Sequence, residues 1–164
     1  MRPLDEMIEK VLEIVEDCLK YENEKPEGLL NHVKTIISVY NNEYGIDEPA
    51  IWIVQHPITL EKQENVDEII LNSTIEFACV EWDKDPKIAE KKSRDLATKV
   101  ALSIKNNYRK IQYDKFKDRI IENVKFRTMY PVGEGIDVQG KTKKTPVAGI
   151  VLDFEFTVDW MDYC

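Results

Sequence analysis

The sequence predicts an α+β fold, in which helices pack on a mostly antiparallel four-stranded sheet. Apolar residues recur every three or four positions in three segments, which predicts helices, and at every second position in four others, which predicts strands. With 164 residues, of which 43% are hydrophobic and 33% charged, the chain has the length and composition of one globular domain, residues 1–164.

Two helices are expected before the first strand. The first spans about residues 3–21, with Pro3 in its first turn and one apolar stripe along its length. The second begins after Gly28 and ends near Tyr40, although the part from Ile36 onward also suits an extended conformation. The two stripes consist of Leu4, Ile8, Val11, Leu12, Val15 and Leu19, and of Leu29, Leu30, Val33, Ile36, Ile37 and Tyr40.

From residue 51 the apolar period becomes two. A short strand at 51–55 stops before Pro57, and a long strand at 69–79 has an apolar face and a polar face that carries Asn72, Thr74 and Glu76. Asp85 followed by Pro86 predicts the start of a third helix, which runs to about Asn107.

Two further strands complete the predicted sheet. Residues 124–127 alternate apolar and basic side chains, and residues 148–160 alternate between a face of aliphatic and aromatic residues and a face that includes Asp153 and Glu155. Between them, residues 131–146 have no apolar period, and four of the six glycines of the chain lie between Gly133 and Gly149. This pattern predicts a long flexible hairpin loop.

The formal charge of −8 conceals a strong asymmetry along the chain. Residues 1–50 have a net charge of −7 and residues 51–83 of −6, whereas residues 84–127 have a net charge of +8. A uniformly acidic chain would repel nucleic acid, but a chain with separate acidic and basic segments is suited to binding partners or copies of itself.

The sequence offers little sign of catalytic, cofactor or metal chemistry, and we expect none. Cys18, Cys79 and Cys164 are far apart and are predicted to be free thiols, and His32 and His56 have no neighbours at the spacing of a catalytic triad. Acidic residues that alternate along a strand, as at 153–159, are typical of a solvated face. No apolar run is long enough to cross a bilayer, so we expect no membrane partner.

One string matches a phosphate-binding motif. Residues 135–142, GIDVQGKT, fit the pattern GxxxxGK[ST], whose glycines and lysine surround the phosphates of a nucleotide. In such a loop a helix begins at the final threonine, whereas here a strand with alternating period follows Pro146. Nucleotide binding through 135–142 is therefore an alternative, and a chance match in a loop rich in glycine and lysine is the favoured interpretation.

The basic residues of the third helix are the strongest candidates for a partner interface. They could contact nucleic acid, form a solvated face, or meet an acidic surface on another copy of the chain, for which the first helix is a candidate. The predicted interface residues are Lys84, Lys87, Lys91, Lys92 and Arg94, with Lys141, Lys143 and Lys144 in the loop, and Glu9, Glu13 and Glu16 on the acidic side.

The order of elements resembles that of the tail terminator, or tail completion, proteins of tailed phages and phage-tail-like particles. The resemblance covers nearly the whole chain. The two-helix start is less typical of that family, so a head-completion or neck adaptor of similar fold stays open as an alternative. It is carried by the short strand at 51–55, the strand end FACVEW at 77–82, the helix start Asp85-Pro86 and the closing strand VLDFEFTV at 151–158.

This resemblance implies a structural virion protein without enzymatic activity or cofactor. In that family the subunit forms a ring, usually a hexamer, at the head-proximal end of the tail tube, where it stops tube polymerisation and docks to neck proteins. The partners implied are other copies of the chain, the tail tube protein and a neck or head-completion protein, with DNA passing through the lumen unbound. The implied location is the virion tail or neck, after assembly in the host cytoplasm.

Overall fold

The structure, a computed structural model, describes residues 4–38, 47–63, 68–116, 120–136 and 145–159. Over these residues it shows an α+β fold with two helices and a mixed sheet of six strands, instead of the three helices and four strands predicted. The elements are α1 (Leu4–Glu24), β1 (Thr35–Ser38), β2 (Ala50–Gln55), β3 (Thr59–Gln63), β4 (Glu68–Val80), α2 (Pro86–Phe116), β5 (Ile121–Ile136) and β6 (Thr145–Asp159).

The prediction of a second helix is wrong over the described residues 29–38, because side chains from the end of α1 hold residues 29–33 outside a helix, and the alternative of an extended conformation from Ile36 is confirmed by β1. The Glu22 carboxylate accepts a hydrogen bond from the backbone N–H of Leu29 at 2.9 Å, and the Asn23 amide donates to the carbonyls of Leu30 and Val33, each at 2.9 Å. Gly28 passes so close to α1 that a Cβ there would collide with the backbone carbonyl of Glu22. The chain then enters β1, which contains Ile36 and Ile37.

The sheet has the order β1-β2-β4-β6-β5, and β3 pairs with the same edge of β4 as β2. The pairing of β1 with β2 is parallel and the others are antiparallel. Residues 56–58, which include Pro57, separate β2 from β3, and the His56 N–H still donates to the Thr74 carbonyl at 2.9 Å. β2 and β3 therefore act as one interrupted strand along β4.

The main core lies between the helices and one face of the sheet. α2 packs on β4 and β6, and α1 packs on α2. The register places the odd residues of β4 opposite the even residues of β6, so Phe77, Phe154 and Phe156 all face this core and are fully buried. The alternation predicted for both strands is confirmed over residues 69–79 and 148–158, and residue 160 lies outside the described residues.

The hairpin between the last two strands is longer than predicted and its loop is shorter. β5 continues to Ile136 and β6 begins at Thr145, with Ile136 opposite Thr145. Pro131 and Val132, predicted to lie in the loop, are paired with Ala148 and Val147. The rest of the predicted loop, residues 137–144, lies outside the described residues.

Candidate functional site

The basic residues predicted as an interface lie at the start of α2, and the structure separates them into paired and unpaired side chains. Lys92 forms an ion pair with Asp83 at 3.0 Å, and Arg94 with Glu90 at 3.5 Å. The other three are exposed and, within the described part of the chain, form no ion pair; they are Lys84, Lys87 and Lys91. These three residues are called the basic patch below.

The N-terminus of α2 is capped by its own acidic residues. The Asp85 carboxylate accepts a hydrogen bond from the Lys87 N–H at 3.0 Å, which makes Asp85 the N-cap of the helix predicted to start at Asp85-Pro86. The Asp83 carboxylate accepts from the Asp85 N–H, and this bond together with Lys92 lowers the pKa of Asp83. Because the Asp85 carboxylate caps the first turn of α2, the basic patch is the surface at this end of the helix that favours an acidic partner.

The acidic side of the predicted interface lies on α1. Glu9 is exposed, whereas Glu13 and Glu16 are half-buried, and Glu13 lies 3.5 Å from Lys10. Since α1 packs against α2, the acidic and basic helices are neighbours within one chain. Lys110 illustrates this contact, because its ammonium lies 3.0 Å from the Tyr21 hydroxyl and 4.9 Å from the centre of the Tyr21 ring.

The remaining predicted interface residues, Lys141, Lys143 and Lys144, lie outside the described residues, as does most of the phosphate-binding motif. The elements that flank the motif are described, and they are the two antiparallel strands β5 and β6. The described element that follows the motif is the strand β6 from Thr145, as the alternating period predicted, and the threonine of the motif lies outside the described residues.

The two histidines each lie beside a carboxylate on the surface. His56 Nε2 is 3.1 Å from Glu76, and His32 Nε2 is 3.7 Å from Glu81. Both pairs join residues distant in sequence, and sequence spacing gave no signal of either. Among the described residues, no three His, Cys, Asp or Glu side chains are grouped as metal binding requires.

A polar network on the sheet face opposite α2 was not predicted. Asp153 accepts hydrogen bonds from Thr74 at 2.6 Å, from Asn72 at 3.1 Å and from Arg127 at 2.9 Å, and Lys125 pairs with Glu155 at 2.5 Å. Burial by itself would raise the pKa of Asp153, but these hydrogen bonds outweigh it and lower the pKa.

We interpret this network as a contribution to the stability of the sheet and not as a ligand-binding site. Each of its charged side chains has an oppositely charged partner: Asp153 with Arg127, and Glu155 with Lys125. The Asn72 side chain is buried, and its Oδ1 has no hydrogen-bond partner among the described residues. The alternation of the sequence placed Asn72 on a polar face and Asp153 on a solvated face, and only the register between β4 and β6 brings the two side chains together.

A groove between α2 and β5 is the second feature that sequence reasoning missed. It has a volume of about 440 Å³ and a mixed lining of apolar and basic side chains. Phe126, at one side of the groove, leaves 63% of its surface exposed. The lining residues are Ala101, Lys105, Tyr108, Arg109, Val124, Phe126 and Leu152.

The groove opens at the end of the sheet. β5 is the last strand in the sheet order, and its outer edge pairs with no described strand. A shift of register between Phe126 and Thr128 makes Arg127 the extra residue of a bulge. Exposed apolar side chains beside an open edge are typical of surfaces that bind other proteins.

No protein-family model matches the chain, and no curated protein is significantly similar to it. None of the described helices is long and apolar enough to span a bilayer.

Proposed function

We propose that this protein is a structural subunit that assembles with copies of itself into a ring, as the tail terminator and tail completion proteins of phages do. The observation that carries the proposal is the segregation of exposed charge. The basic patch on α2 and the acidic surface of α1, with Glu9 at its exposed side, belong to different elements of one subunit.

Segregated charge of this kind favours a head-to-tail contact. When one face of a subunit binds a different face of the next, the contact repeats and closes into a ring if the rotation permits. Unlike charges on the two faces select this arrangement over contacts between identical faces, because two basic patches or two acidic surfaces repel each other.

The proposed location of the ring follows from the resemblance in element order. It would sit at the head-proximal end of a tail tube, in the virion tail or neck, with the tail tube protein on one face and a neck protein on the other. The role needs no catalytic step and no cofactor. The net charge of −8 suits a lumen through which DNA passes without binding. A head-completion or neck adaptor would share these properties and would differ in its partners.

The first test is the mass of the assembly in solution. Light scattering coupled to gel filtration, with negative-stain images of the same fractions, is expected to show rings. Reversing two exposed charges of the basic patch, in Lys87→Glu/Lys91→Glu, is expected to weaken them. Glu9→Lys/Glu16→Lys in that background is expected to restore assembly in part.

A matched control distinguishes the effect of the basic patch on assembly from the effect of a change in net charge. Lys20→Glu/Lys34→Glu makes the same change in net charge at two exposed lysines outside the patch and is expected to leave the rings intact. A chain that is monomeric at every concentration would overturn the proposal. Magnesium-dependent binding of ATP that is lost in Lys141→Ala would instead support the nucleotide-binding alternative.

A further inference from the structure

The α2–β5 groove combines an apolar floor with a positively charged rim. Leu152 is buried at its base, Val124 is half-buried, and Phe126 stands exposed at the side formed by β5. The rim consists of Lys105 and Arg109, which are exposed and lie four residues apart on α2, so they are neighbours on one side of the helix. A groove of this composition favours a ligand with an apolar group beside a negative charge.

The two cations of the rim are available to such a ligand. Within the described part of the chain, neither Lys105 nor Arg109 is paired with a carboxylate. Arg109 is also held in place, because its Nε donates to the Tyr108 hydroxyl at 2.9 Å and its guanidinium lies 5.5 Å from the centre of that ring. The other N–H groups of the guanidinium can then donate to a carboxylate.

The groove is a different surface from the basic patch. Lys105 lies about four turns further along α2 than Lys91, a distance of about 21 Å along the helix axis. A ligand bound in the groove therefore leaves the basic patch free for the head-to-tail contact between subunits.

The groove is continuous with the outer edge of β5, which pairs with no described strand. Val124 and Phe126 face the groove, whereas Lys125 between them pairs with Glu155 on the other face of the sheet. A strand added to this edge would place every second side chain over the groove, opposite Val124 or Phe126, because side chains alternate between the faces of a sheet. An open edge beside a pocket for alternate side chains is a common way in which proteins bind extended peptides.

We infer that the outer edge of β5 and the α2–β5 groove bind an extended acidic segment of another protein. The segment has an apolar residue over the groove, with acidic residues two positions before and after it, so that all three side chains lie on one face of the added strand. The apolar side chain packs against Val124 and Phe126, and an acidic side chain pairs with Lys105 or Arg109. The inference goes beyond self-assembly, because the bound chain is a different protein.

Synthetic peptides test the inference with the full-length chain. Three fluorescent peptides have the sequence Thr-Glu-Thr-X-Thr-Glu-Thr, in which X is Leu, Phe or Trp and threonine favours the extended conformation. Fluorescence anisotropy in low salt is expected to show saturable binding of at least one of them, with a Kd below about 1 mM. Versions with Lys in place of both Glu residues, or with Ser in place of X, are expected to bind at least about tenfold more weakly.

Methylation of backbone nitrogens tests whether the peptide binds as a strand. Successive N–H groups of a strand point to opposite edges, so methylation of alternate N–H groups blocks one edge of the peptide and leaves the other able to pair. Of the two complementary methylated peptides, one is expected to bind like its parent and the other to lose binding. Equal behaviour of the two would overturn the assignment of the β5 edge.

Variants of the protein locate the site. Phe126→Ser is expected to weaken peptide binding by about 30-fold, the loss typical of an aromatic anchor, and Leu60→Ser, at a position 59% exposed on β3, to leave it unchanged. Lys105→Glu/Arg109→Glu is expected to weaken binding by at least about tenfold. Its control is Lys87→Glu/Lys91→Glu, which makes the same change in net charge on the same helix and is expected to bind the peptide like wild type.

The outcomes distinguish this inference from the proposed function. Absence of saturable binding by all three peptides, or unchanged binding by Phe126→Ser, would overturn the inference and leave self-assembly standing. Rings that are lost in Phe126→Ser would show that a second copy occupies the groove, and would also overturn the inference. A chain that forms no rings but binds the peptides as expected would overturn the proposed function alone.

Discussion

Glu22 joins three parts of the fold, and its removal gives the sharpest test of how the chain is held together. The side chain lies near the end of α1, and its residue is 6% exposed. One carboxylate oxygen accepts from the Leu29 N–H at 2.9 Å, and the other accepts from the Asn107 amide on α2, also at 2.9 Å. Glu22 therefore fixes both the turn that replaced the predicted second helix and the contact between the two helices.

Glu22→Ala leaves these two donors without their acceptor. Each buried donor that loses its partner costs about 1–3 kcal/mol. Asn107 retains one bond, since its amide also donates to the Ser103 carbonyl at 2.7 Å. The combined loss is about 3 kcal/mol, which for a chain of this size lowers Tm by roughly 6–12 °C. Glu22→Gln is expected to lose less, because its amide oxygen can still accept from Leu29 while its NH2 group faces the Asn107 donor.

The pH dependence provides a second measure of the same interaction. Burial by itself would raise the pKa of Glu22, but the hydrogen bonds from Asn107 and Leu29 and the charge of Lys25 outweigh it and lower the pKa. A group whose pKa is lower in the folded protein stabilises it above the unfolded pKa and loses that effect as the pH falls through the folded pKa. The difference in stability between wild type and Glu22→Gln is therefore expected to shrink in acid.

Urea unfolding followed by circular dichroism, at one fixed protein concentration, measures these differences. Glu24→Ala is the control, because Glu24 is exposed two residues later on the same helix, and its change is expected to stay within about 0.5 kcal/mol. A loss in Glu22→Ala no larger than that of Glu24→Ala would refute the reasoning.

Two further predictions concern a half-buried carboxylate and two buried thiols. Asp153→Asn is expected to cost about 1 kcal/mol at neutral pH, because the half-exposed Arg127 loses its charged partner and Thr74 and Asn72 then donate to a neutral oxygen. Urea unfolding is expected to show this cost shrinking in acid, since the pKa of Asp153 is lowered in the folded chain. Exposed Asp95→Asn is the control, and equal losses would contradict the prediction. In Cys164→Ser, Cys18 and Cys79 are expected to resist a thiol reagent at pH 8 until urea is added, because burial raises the pKa of Cys18 to about 12 and also raises the pKa of Cys79. Rapid labelling of the native chain would disprove this prediction.

The elements that sequence predicted well are those whose signal lies within the element. The stripe at 4–19 is set by helical spacing, the start of α2 by Asp85 and Pro86, and the faces of β4 and β6 by simple alternation. Each of these signals depends on residues a few positions apart, so periodicity and capping rules suffice.

The errors have a common cause in long-range contacts. Leu29, Leu30 and Val33 have helical spacing, but their backbone groups form hydrogen bonds with the side chains of Glu22 and Asn23, which hold the segment outside a helix. The segment after Tyr130 has the glycine and proline content of a loop, yet pairing with β6 extends β5 to Ile136. In both cases, tertiary partners overrode local preference.

The sequence by itself determined the α+β class, the faces of the long strands and the segregation of acidic from basic residues along the chain. Only the tertiary structure decided that the acidic and basic helices lie side by side, that Asn72, Thr74 and Asp153 form one network, and that Phe126 stands exposed beside Lys105 and Arg109 in a groove. The physical reason is that charge and periodicity are properties of the chain, whereas a groove or a network exists only where register and helix packing bring distant residues together.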